Sequence, residues 1–174
     1  MKTLLTEAEI HAGVVNLAQQ VAARYGETPV TIVGVLTGSL VFMADLIRQL
    51  RMPLRIGLVQ ASSYRGTATV PGELALNTSW LPPVAGRHVL LLDDIFDTGH
   101  TLAAVLAELT AQQPASLASA VLRTKQGRSE VALRPDYSVF DIPNVFVVGY
   151  GLDYNDHYRN LPHVAEMEDR DLAE

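Results

Sequence analysis

The sequence predicts an α/β fold in which a doubly wound, mostly parallel sheet is flanked by helices. Short runs such as VTIVGVL and VLLL are continuously apolar and rich in branched residues, the pattern of strands covered on both faces. Stretches with apolar residues at helical spacing lie between them, and strands alternating with helices build parallel sheets. A chain of 174 residues, 48% hydrophobic and 18% charged, suits one domain with one core, residues 1–174, burying about two thirds of its unfolded surface.

The elements follow in chain order. Thr6-Glu7-Ala8-Glu9 has capping-box spacing, and Ile10, Val14, Leu17 and Val21 continue at helical intervals, so residues 6–25 are expected to be an amphipathic helix. Residues 30–36 form a buried strand, 38–50 a helix, and 54–60 and 74–80 two further strands. Between these last two, residues 62–73 (SSYRGTATVPGE) offer nothing to pack with and read as a mobile loop. Strand 89–92, helix 101–110, strand 116–122 and a last strand at 145–150 (VFVVGY) complete the pattern. No repeat, low-complexity tract or linker divides the chain.

Composition narrows the function. The absence of cysteine excludes a disulfide framework or thiolate metal site and fits a reducing compartment, so the cytoplasm is expected. Charge appears at Glu7 before an apolar stretch long enough for a signal peptide, and no run reaches the ~18 apolar residues of a membrane span. A net charge of −6 repels nucleic acid and gathers no phosphorylated substrate, so an anionic ligand must be held by local chemistry.

The stretch VLLLDDIFDTGHT supplies that chemistry. In open α/β sheets ligands bind at the carboxyl ends of strands, where Asp93 and Asp94 are expected to lie. Asp97-Thr98-Gly99-His100-Thr101 then runs into a helix, bringing backbone N–H groups, the Thr98 and Thr101 hydroxyls and a positive helix terminus to one spot that suits phosphate. No lysine of the P-loop kind is present, and none is needed for a phosphate that serves as an anchor. An aspartic protease needs two Asp-Thr-Gly segments in an all-β setting, whereas this chain has one, followed by a helical pattern. A receiver domain places its acid pair after the first strand, which here ends in Thr37-Gly38.

Together the acid pair and the phosphate turn resemble the phosphoribosyl diphosphate motif of type I phosphoribosyltransferases. Further segments, from about Gly34 to Val164, resemble the hypoxanthine-guanine branch: GVLTGS at residues 34–39, SSY at 62–64, Lys125 after a strand, FVVGYGLDY at 146–154, and YRNLP at 158–162. The resemblance implies the type I fold with a small hood from the terminal segments. It implies transfer of phosphoribosyl from phosphoribosyl diphosphate to N9 of hypoxanthine or guanine, with Mg²⁺ as cofactor, in a homo-oligomer, dimer or tetramer. It assigns Asp93 and Asp94 to the ribose hydroxyls and magnesium, Asp97 to proton transfer at purine N7, and residues Asp97, Thr98, Gly99, His100 and Thr101 to the 5′-phosphate. Pyrophosphate would meet Thr37 and Gly38, across a cis Thr37–Gly38 peptide, together with Ser63, Tyr64 and Arg159. The purine would meet Lys125 at O6, Phe146 by stacking and Val147 through its backbone. Asp153 would lie near purine and a second metal region. Thr124 and Gln126 depart from the acid and proline that flank this lysine in many bacterial relatives. A regulator on the same fold that binds nucleic acid is disfavoured by the net charge, and an enzyme for adenine, xanthine or a pyrimidine is the nearest alternative.

Overall fold

The computed structural model describes residues 1–63, 74–168 and 171. Helix α1 (Glu7–Tyr25) follows strand β1 (Lys2–Leu5), and its capping box is formed. The Thr6 N–H donates to the Glu9 carboxylate at 2.8 Å and the Glu9 N–H to the Thr6 hydroxyl at 3.3 Å, satisfying donors that a helix start leaves free. Ile10, Val14, Leu17 and Val21 are all buried, so the helical spacing in the sequence marks the core face.

The remaining elements are β2 (Val30–Leu36), α2 (Leu40–Gln49), β3 (Leu54–Ser63), β4 (Leu74–Asn77), β5 (His88–Phe96), α3 (His100–Ala111), β6 (Ser116–Lys125), β7 (Tyr137–Ile142), β8 (Val147–Val148) and β9 (Val164–Glu166). The main sheet has the order β4-β3-β2-β5-β6-β7; β4 runs antiparallel to β3 and the other neighbours pair in parallel. Helices α1 and α2 cover one face, packing Ile10, Leu17, Phe42 and Leu46 against Ile32 and Leu90. Helix α3 covers the other, with Leu102 and Val105 against Val33 and Leu91. This is the doubly wound sheet that the continuously apolar strands predict.

The ends of the expected elements shift for physical reasons. Strands β5 and β6 run on past residues 92 and 122 because each extension gives the other parallel ladder partners, and β3 runs on past residue 60 because antiparallel β4 pairs with it as far as Ser63. Strand β4 stops at Asn77, whose side chain accepts the Ser79 N–H at 3.0 Å and turns the chain. Strand β7 was not expected, since an edge strand half open to solvent lacks an apolar run. The expected strand at 145–150 is reduced to β8, because Gly149, Tyr150 and Gly151 have φ of 93°, 47° and 98° and leave extended geometry. Strand β8 joins β9 and the unexpected β1 in a separate three-stranded sheet of order β1-β9-β8, the hood built by the terminal segments. No helix among the described residues is long and apolar enough to cross a membrane.

Candidate active site

In the main sheet β2 and β5 are neighbours, with β3 beyond one and β6 beyond the other, so the strand order reverses between them. Crevices open at the carboxyl ends of strands at such a reversal. Here the crevice has a volume of ≈ 250 Å³ and is lined by Gly38 from the β2 end, by Asp93, Asp94 and Asp97 from the β5 end, and by Thr98 and Thr101.

Asp93 and Asp94 do not follow the strand, as the expected end at residue 92 implied. They lie inside β5, 5% and 8% exposed, with Asp93 in register with Val121 on β6. The Asp94 N–H donates to the Asp93 carboxylate at 2.9 Å. Burial pushes both carboxyls upward, Asp93 strongly because the charge of Asp94 adds to it, while nearby Arg123 partly offsets the effect at Asp94. Gly38 has to be glycine, because a Cβ there would overlap the Asp94 carboxylate. The cis peptide in this loop is Leu36–Thr37, not the expected Thr37–Gly38, so what requires Gly38 is the close approach of Asp94.

The segment Asp97–Thr101 turns into a helix, as the sequence predicts. Gly99, at φ 91°, precedes α3 with no side-chain cap, leaving the first N–H groups of the helix facing outward. Thr98 and Thr101 line the crevice beside it, whereas His100 turns away, its Nε2 at 2.9 Å from the Glu130 carboxylate.

Asp97 carries two cations, with Lys125 Nζ at 3.1 Å on one oxygen and Arg128 Nε at 2.9 Å on the other. Burial raises its carboxyl, but the bonds from Arg128 and Lys125 outweigh burial and hold it below the usual carboxylate range. Lys125 is therefore brought to the site, as its place after a strand implied. Arg128 and Glu130, whose N–H donates to the Thr98 carbonyl at 2.9 Å, were missed, because basic and acidic residues in a polar stretch read as solvent-facing.

Phe146 is 45% exposed, edge-on to Tyr154 with ring centroids 5.6 Å apart, so it is available for stacking and is not a core aromatic. Val147 has a buried side chain and an open backbone. The Met167 N–H donates to the Phe146 carbonyl at 2.9 Å, which makes Val147 and Glu166 a pair not bonded to each other, and the Val147 N–H and C=O point to the free edge of the hood. Arg159 donates to the Gly151 carbonyl at 2.8 Å and pairs with Asp153 at 2.8 Å, bracing the turn after β8. That turn reaches the β2 loop, since a Cβ at Gly151 would overlap the Gly38 carbonyl. Ser63 is the last residue of β3, not the opening of a loop, while Tyr64 and the rest of 64–73 lie outside the described residues.

Asp93, Asp94 and Asp153 do not gather as one metal cage, and no group of three or more His, Cys, Asp or Glu side chains does so among the described residues. Two adjacent buried carboxylates are nevertheless a hard-oxygen donor set that suits a magnesium ion whose other ligands are substrate oxygens and water.

Comparison with known proteins agrees with this geometry. Residues 1–155 match the family model described as phosphoribosyl transferase domain. The hypoxanthine phosphoribosyltransferase of Haemophilus influenzae is 36% identical over 94% of this chain and 93% of its own. A crystal structure of a hypoxanthine-guanine phosphoribosyltransferase from Bacillus anthracis superposes with a TM-score of 0.90 at 33% identity, covering 97% of this chain and 99% of that one. The hypoxanthine phosphoribosyltransferase of Trypanosoma cruzi in complex with the product IMP gives 0.89 at 36% identity, covering 98% and 95%.

Proposed function

The chain belongs to the phosphoribosyltransferase family, on its hypoxanthine-guanine branch, and from that premise we propose how its residues carry out purine salvage. The enzyme transfers the 5-phosphoribosyl group from phosphoribosyl diphosphate to N9 of hypoxanthine, releasing pyrophosphate and forming IMP. Guanine as a second acceptor, giving GMP, is part of the proposal.

The observation that carries it is the Lys125–Asp97 contact beside the buried Asp93–Asp94 pair. O6 and N7 share one edge of a 6-oxopurine. A cation adjacent to a carboxylate offers that edge a donor for O6 and an acceptor for the N7 proton. Asp97, kept ionised by Lys125 and Arg128, takes the N7 proton as N9 attacks the anomeric carbon. Phe146 stacks on the base, and the outward Val147 backbone bonds its edge.

Positive charge builds on the ribose as its bond to pyrophosphate breaks, and Asp93 and Asp94 face that charge while binding the ribose hydroxyls. The Thr98–Thr101 turn anchors the 5′-phosphate. The backbone at Thr37 and Gly38, with Arg159, receives the pyrophosphate. Asp93 and Asp94 would hold a magnesium ion, which would supply positive charge to neutralise the leaving pyrophosphate. The lack of cysteine supports a cytoplasmic setting, and we take the working form to be a homo-oligomer.

Steady-state kinetics with hypoxanthine, guanine, xanthine and adenine test this reading. Adenine, which presents an amino group to the Lys125 ammonium, is expected to be rejected by about 10⁴-fold. Lys125→Met deletes the donor and should narrow the hypoxanthine-to-adenine ratio without weakening phosphoribosyl diphosphate binding. An unchanged ratio removes Lys125 from base reading. Activity should vanish in excess chelator and return with Mg²⁺, and full activity in chelator removes the metal from the mechanism.

A further inference from the structure

Arg123 lies near the carboxyl end of β6, in register with Ile95 on one side and Phe140 on the other, and is 0% exposed. A guanidinium there is costly, because a buried cation loses its hydration, and burial pushes its pKa down to about 10 against the opposing charge of Asp94. An aliphatic side chain would fill the same place without that cost. Among the described residues Nε and Nη1 have no hydrogen-bond partner. The third nitrogen, Nη2, donates to the Gly149 carbonyl at 3.3 Å and the Tyr150 carbonyl at 3.1 Å.

Those carbonyls belong to the positive-φ turn after β8. Its Tyr150 and Gly151 N–H groups donate to the Leu161 and Arg159 carbonyls at 2.9 and 3.0 Å, so Arg123 holds the acceptor side of a turn whose donor side is bonded to the chain that follows. Behind the turn, a Cβ at Gly149 would overlap the His163 carbonyl, so the chain is seated between Arg123 and residue 163. Lys125 stands two residues beyond Arg123 on the same strand, and Phe146 and Val147 stand just before the anchored turn.

We infer that Arg123 is a positioning residue for the purine, setting the gap between Lys125 on β6 and the Phe146–Val147 face that closes on the base. This rests on the reading of residues 146–153 as the purine loop. Arg123 hydrogen-bonds the Gly149 and Tyr150 carbonyls, and Arg123→Lys keeps the positive charge that faces Asp94, so the loss in that variant should fall on the base and spare the activated sugar.

The test compares Arg123→Met, Arg123→Lys and Phe146→Ala with the parent enzyme, measuring KM for hypoxanthine, the Kd of Mg²⁺–phosphoribosyl diphosphate and the thermal midpoint. Arg123→Met is expected to raise the hypoxanthine KM by about tenfold or more; because it also removes the charge beside Asp94, the Kd is read in Arg123→Lys, where it should move less than about threefold. Arg123→Lys, whose single ammonium can still reach a carbonyl, should recover part of the loss. An unchanged KM, or equal losses toward both substrates in Arg123→Lys, overturns the inference. Should Arg123→Met fail to melt cooperatively, Arg123→Lys carries the test, expected to show a smaller loss confined to the base. Phe146→Ala separates the two readings: if it leaves the hypoxanthine KM unchanged, the purine loop is misassigned. If it raises KM while the Arg123 variants do not, only the role of Arg123 fails.

Discussion

Asp97 divides its two oxygens between Lys125 and Arg128, and the pairing decides the pH range in which it can act. Burial alone would raise its carboxyl, and the two cations reverse the sign, so it stays ionised throughout the neutral range. Arg128→Gln leaves burial less opposed and moves the Asp97 pKa up. The acid limb of the kcat/KM profile for hypoxanthine should then shift to higher pH, and a superimposable profile would show that Arg128 has no hold on Asp97. Asp97→Asn removes the proton acceptor while keeping the shape, so kcat should fall by about 10²–10⁴-fold with phosphoribosyl diphosphate affinity retained. Normal turnover in that variant would place the base elsewhere. The acids were legible because three carboxylates behind an apolar run have few structural uses. Arg123 was not, since a basic residue near a strand end looks solvated in one dimension and only the sheet reveals that it is buried.

At the level of elements, the interiors of strands and helices were readable and their ends were not. Periodicity records which face is buried, whereas ends depend on neighbours, as when β5 is drawn on through the two aspartates by β6. The loops that meet at Gly38 and Gly151 show the same limit, because Gly38 makes room for Asp94, more than fifty residues on, and Gly151 for Gly38, more than a hundred residues back. Gly151→Ala faces both a φ of 98° and the Gly38 carbonyl. It should lower stability by about 1–3 kcal/mol and raise the apparent Kd for pyrophosphate. Calorimetry with a pyrophosphate titration would check both, and a neutral outcome would mean the two loops yield independently.

Across the whole molecule, the sheet concentrates a cost where the chemistry is. Two neighbouring carboxylates buried with one partial counter-charge repel each other in the ligand-free enzyme. Asp93→Asn keeps an oxygen for the Asp94 N–H and removes the charge that repels Asp94, so its thermal midpoint at neutral pH should exceed that of the parent while activity is lost. A lower midpoint would show that the pair is tolerated without strain. The parallel sheet and its switch point could be read from alternating elements; the hood followed only from the family resemblance, because β1, β8 and β9 are two to four residues each and β1 pairs with β9 across nearly the full chain. That pairing has a consequence for a chain made from its N-terminus onward. The main sheet is complete once Ile142 has emerged from the ribosome, but β1 and β8 have no strand to lie against until β9 follows. Nascent chains arrested with Val164 still in the exit tunnel should therefore retain Mg²⁺–phosphoribosyl diphosphate and let hypoxanthine go, and equal retention of both would show that the base half forms without β9. Translation thus brings the main sheet into being before the hood, and the emergence of β9 decides when the base half can first close.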